Sequence, residues 1–108
     1  MSICLMVKYE VPTPKSHMLP IATEAAFQKY WQPGCAALHL QWIPLFQAGF
    51  PLKQEDIPLV IGELVQLKTW LSRNEGATLP RDVVARIERL VQALQELCGE
   101  SQAEVYIG

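Results

Sequence analysis

The sequence predicts an α+β domain of two layers: a small three-stranded sheet, in the order β-α-β-α-α-β, covered by an antiparallel pair of long helices. Three observations carry this expectation. Residues near 57–73 and 80–98 repeat apolar side chains at helical spacing. Residues 3–11 and 103–107 are short, apolar and compatible with strands. All but Pro80 of the 8 prolines lie at or before Pro58, which breaks up the first half of the chain and leaves the second free to form long helices. With 108 residues, no internal repeat and no Ser/Gly-rich linker, residues 1–108 are expected to share one core as a single domain.

The first expected strand, Ile3 to Val11, is stopped by Pro12-Thr13-Pro14. Residues 12–20 hold three of the prolines and read as an extended connection, because each proline removes a donor and restricts its predecessor. Thr23 is placed to cap a short helix. Glu24 stands in its first turn, and Phe27, Tyr30 and Trp31 share one face before Gln32-Pro33-Gly34 ends it.

Cys35 to Leu45 admits two periods. Leu38, Leu40 and Trp42 alternate with His39 and Gln41, whereas Leu38, Trp42 and Leu45 would share a helical face. Pro44 favours the strand, since a strand can finish before it and a helix spanning the segment would meet it in its last turns. Gln47 to Pro51 then reads as a turn. The first two strands, joined through a helix, would be parallel if adjacent, with a right-handed crossover.

Pro58 is tolerable only in the first turn of a helix, so the next helix should begin between Gln54 and Ile57 and run to Arg73. At 100° per residue Ile57, Val60, Leu64, Leu67 and Leu71 fall on one side. Asn74-Glu75-Gly76 should close it, and Thr78 with Pro80 should open the last helix. There Val83, Ile87, Leu90, Leu94 and Leu97 recur at alternating four- and three-residue steps, Gly99 follows as a stop, and Ala103 to Ile107 forms the final strand.

Several classes of function are disfavoured by composition. A net charge of -2 gives no global field to attract a phosphate backbone or anionic lipid, so no nucleic-acid and no membrane partner is expected. The apolar stretch at Ile3 to Val7 is too short for a secretory or membrane-spanning segment. The cysteines, Cys4, Cys35 and Cys98, stand far apart with no CxxC, so neither a disulfide scaffold nor a metal site is expected, and the chain is placed in the cytoplasm. No glycine motif for a nucleotide cofactor occurs, and no cofactor is expected.

Two histidines, His17 and His39, are a thin supply of proton carriers for an enzyme. Cys35 and His39 form the most suggestive pair. On a helix their Cβ atoms would be about 5–6 Å apart, but on a strand four residues span roughly 13 Å, and the strand reading separates them. Glu63 borders the apolar arc of its helix and is the carboxylate expected to be partly buried.

The expected function is therefore a non-catalytic protein-binding module of the adaptor, inhibitory or immunity-like kind. It would act through an aromatic surface of Tyr30, Trp31, Trp42 and Trp70. The alternative is a small-molecule-binding domain or minor enzyme with a pocket near Cys35, His39 and Trp42, bordered by Glu63. The partner would be another protein, and the two sheet edges leave a homodimer through an edge open.

Overall fold

The computed structural model describes residues 2–9, 15–74, 81–98 and 103–108. Its elements are β1 (Ser2–Tyr9), β2 (Lys15–Thr23), α1 (Glu24–Ala26), a π-turn (Phe27–Trp31) and α2 (Gln32–Leu38). A 3₁₀ turn (Ile43–Gln47), β3 (Phe50–Leu52) and a second 3₁₀ turn (Gln54–Asp56) lead into α3 (Ile57–Asn74), α4 (Arg81–Leu97) and β4 (Ala103–Ile107). The strands form one antiparallel sheet of 4, in the order β2-β1-β4-β3.

The class is α+β as expected, but the sheet has a fourth strand and a different plan. The proline-rich segment expected to be a connection contains β2, which pairs with β1 as an antiparallel hairpin in place of the anticipated parallel crossover. The phase of the ladder explains why proline is tolerated there. Cys4 exchanges both backbone hydrogen bonds with Gly108, at 3.2 and 3.0 Å, so even-numbered residues of β1 bond towards β4 and odd-numbered ones towards β2. Leu5 and Val7 therefore bond to Leu19 and His17, while Ser16, Met18 and Pro20 turn their backbone groups to the free edge. Pro51 in β3, opposite Tyr106, faces the other free edge by the same alternation. Neither ring removes a ladder bond.

Residues expected as the second strand are instead helical up to Leu38, followed by a left-handed His39 at φ 55° that caps α2. The alternation of Leu38, Leu40 and Trp42 straddles this helix end, and Pro44 lies in the first turn of the Ile43–Gln47 segment, where its missing N–H costs nothing. The expected turn at 47–51 contains the start of β3. The Thr23 cap forms: its Oγ1 accepts the Ala26 N–H at 3.1 Å. The helix it opens does not stop at Pro33. At the π-turn the Gln32 N–H reaches back to the Phe27 carbonyl, and Pro33 falls in the first turn of α2. The helical layer is thus more than a pair of long helices.

Those two helices match their predicted cores. Ile57, Val60, Leu64, Leu67 and Leu71 of α3 are buried, as are Val83, Ile87, Leu90, Leu94 and Leu97 of α4; they meet Ile3, Leu5 and Val7 of β1 and Val105 and Ile107 of β4. Lys68 and Glu88 join α3 to α4 across 3.7 Å, an exposed ion pair worth little energetically. The expected boundary signals at 75–80 and at Gly99 lie outside the described residues. Among the described residues no helix is long and apolar enough to cross a membrane.

Candidate functional site

Strand alternation sends Ile3, Leu5 and Val7 into the core and turns Cys4, Met6 and Lys8 to the opposite face of the sheet. The helices cover only the inner face. Register places Met18 beside Met6, Met6 beside Tyr106 and Tyr106 beside Pro51, so an apolar row crosses every strand on the outer face. Met18 is 66% exposed and Tyr106 41%, and the row floors an open groove of about 1040 Å³.

The two sides of the row differ. On one, Lys8 stands across from Glu104, and Lys53 joins them on the groove wall. On the other, Cys4 stands between Pro20 and Gly108, with no charge. Tyr106 leans over Gly49 and Gly108: a Cβ on Gly49 would strike its hydroxyl, and one on Gly108 would meet its ring. Gly49 also holds φ at 81°, which glycine adopts without strain. Both positions therefore admit the ring only because they lack side chains.

The residues singled out from the sequence fall elsewhere. Glu63 is a latch. Its Oε1 accepts the N–H groups of Trp42 at 2.9 Å and Ile43 at 3.1 Å, and its Oε2 accepts that of Gln41 at 3.1 Å. These donors open the Ile43–Gln47 turn, whose capping position, Trp42, offers no side-chain acceptor. A carboxylate there also meets the positive end of the helical turn.

Cys35 and His39 share a helical segment, but they are linked through backbone. The Cys35 carbonyl accepts the N–H groups of His39 and Leu40, while the His39 side chain is exposed and the Cys35 thiol is buried. Burial, and secondarily the negative charge of Glu63, push that thiol up to about 12. It stays protonated at neutral pH and is no nucleophile there. Among the described residues no group of three or more His, Cys, Asp or Glu is placed to hold a metal ion.

Of the four aromatic residues expected to form a surface, Trp31 is buried and Tyr30, Trp42 and Trp70 are partly exposed. The π-turn carries Phe27 and Trp31 into the core, their rings stacked with centroids 5.5 Å apart, and Trp31 is only 1% exposed. Phe46 packs on both, Phe50 on Phe46, and half-buried Trp42 on Phe50 at 5.9 Å. Tyr30 is half-buried with the Lys29 ammonium 5.3 Å from its ring centre. Trp70 lies against Gly34, where a Cβ would crowd its indole and the buried Leu67. Trp70 thus packs on α2, and the other ring contacts link the π-turn, the Ile43–Gln47 turn and β3.

The outer-face row was missed because half of it depends on β2 and β3, which the prolines disguised. One signal was available: β1 is apolar at both alternations, so each of its faces wants a cover. No family model matches the chain, and no curated protein or solved structure matches it.

Proposed function

We propose that this protein is a non-catalytic protein-binding module whose partner lies on the outer face of the sheet. The supporting observation is the apolar row Met18–Met6–Tyr106–Pro51 on a face that the chain's own helices leave uncovered. An exposed face of an antiparallel sheet is ordinarily polar, and a continuous apolar strip with a polar rim is the pattern of a contact surface. The charged side sets the chemistry of the occupant: Lys8 and Lys53 outnumber Glu104, so the partner is a protein segment with an apolar strip flanked by carboxylates. The groove is not an enclosed cavity, which suits a polypeptide better than a small molecule needing burial on most sides.

The test is site-specific photocrosslinking in the native cell, with benzoylphenylalanine replacing Tyr106 or, as a control on the helical side, Val65. The reading expects one protein captured from position 106 and not from 65. That capture should be lost on Met6→Lys and weakened by Lys8→Glu with Lys53→Glu. Equal capture from both positions, or capture indifferent to Met6→Lys, refutes it.

A further inference from the structure

The free edge of β2 carries an inference that does not rest on the docking face. By the phase of the ladder Ser16 and Met18 point their N–H and C=O groups away from β1. The two edges of the sheet are not equivalent. β3 spans only Phe50–Leu52 with Pro51 at its centre, so it offers a partner strand almost no ladder. β2 is 9 residues long, and although Pro20 falls just past its middle, Lys15 to Leu19 before it form an uninterrupted edge with two outward residues, Ser16 and Met18.

We propose that two copies of this chain pair antiparallel along their β2 edges, about a two-fold axis through His17. In this register Ser16 of one copy faces Met18 of the other. Each pair exchanges both backbone bonds, so every outward donor and acceptor at these positions is satisfied. Shifting the axis to Met18 would set Pro20 opposite Ser16, forfeiting a bond and driving the pyrrolidine ring against a carbonyl.

Ser16 and Met18 are thus each other's complement across the axis, which is why a second copy is favoured over an unrelated strand. The side chains agree. The His17 ring lies 5.9 Å from that of Tyr9 on β1, drawn inward from the axis. Met18, the most exposed of the large apolar side chains among the described residues, comes within roughly 7–8 Å of its symmetry mate across the diagonal of the new ladder. The product is the 4-stranded sheet doubled. So short a ladder buries less than a standard interface of about 1,600 Å², and micromolar association is expected.

Sedimentation velocity of the full chain from about 1 μM to 1 mM, with amide hydrogen exchange over the same range, tests this. The proposal expects a monomer–dimer equilibrium in which the Ser16 and Met18 amides gain protection with concentration. The His17 and Leu19 amides, bonded to β1, should be protected throughout. Met18→Pro adds a proline in the same outward phase as Pro20 and should abolish the dimer while circular dichroism stays unchanged. Met6→Lys, on the outer face, should leave the dimer intact, which separates this proposal from the docking reading. A chain that sediments as a monomer throughout overturns it, as does a dimer whose Ser16 and Met18 amides exchange as fast as in the monomer. If Met18→Pro fails to fold, the exchange data on the unaltered chain decide.

Discussion

Removing the Glu63 carboxylate should cost far more than its place on a helix flank suggests. Glu63→Ala strands three backbone donors that now share one charged acceptor. Gln41 is exposed and can be rehydrated, so its bond contributes little. Trp42 is half-buried and Ile43 buried, and hydrogen bonds to a charged group are worth about 1.5–3 kcal/mol each. Because Trp42 and Ile43 share a single oxygen, their sum is less than twice that value, and a loss of about 3 kcal/mol is expected. For a domain of this size that corresponds to a fall in Tm of roughly 12 °C. Glu63→Gln keeps a carbonyl for the shared pair but sets an amide N–H₂ against the Gln41 N–H, so about half the loss is expected. Urea unfolding followed by tryptophan fluorescence measures both variants, and native-state exchange at the Trp42 and Ile43 amides reports whether the loop opens locally. A loss under about 0.5 kcal/mol for Glu63→Ala, or equal losses for the two variants, would refute the latch.

Cys35 gives a prediction in alkali. Its folded value is raised from 9.0 to about 12, so the folded state holds the proton more tightly than the unfolded state. The stabilisation is complete below pH 9 and is lost as pH rises towards 12. The difference in urea midpoint between the unaltered chain and Cys35→Ala should therefore shrink or reverse across that window, and Glu63→Gln should lower the Cys35 value only in part, since burial is the larger cause. A difference that does not change with pH contradicts this. Gly34→Ala should destabilise by about 1–3 kcal/mol by overpacking, because its Cβ would collide with Leu67 and crowd Trp70; a neutral or stabilising effect in thermal unfolding would show that α2 can move off α3.

The legible parts of the fold were those in which one physical signal acted alone. The apolar stripes of α3 and α4 and the bounds of β4 are readable because long periodicity or simple alternation meets no competing cue. The illegible parts were all touched by proline. Pro20 and Pro51 forbid nothing in an edge strand whose N–H would have faced solvent, and Pro33 and Pro44 forbid nothing in a first helical turn, but phase and position are properties of the assembled sheet and helices. Trp31 was misjudged for a related reason. A helix ending at Pro33 looked too short to turn both Tyr30 and Trp31 inward; it continues through α2, and Trp31 is buried beside Phe27 while Tyr30 stays half-buried. Glu63 was recognised as an unusual carboxylate, but its partners are backbone groups twenty residues upstream that no side-chain pattern announces. The Met6–Tyr106 surface required the sheet order, which only the complete topology supplies.

The π-turn has a consequence for how the chain tolerates changes in length. A wide turn inside a helix behaves as one inserted residue, and the side chains before it are out of angular phase with those after it by about 100°. Phe27 and Trp31 address one part of the interior, and Gly34 and Cys35 another. Deleting a single residue such as Gln28 would turn the bond between Gln32 and Phe27 into an ordinary α-helical one and leave Gly34 against the indole of Trp70 and the Cys35 thiol buried. Loss of one residue within Phe27–Trp31 should therefore be tolerated better than loss of one within α2, where no wide turn can take up the 100° change of phase.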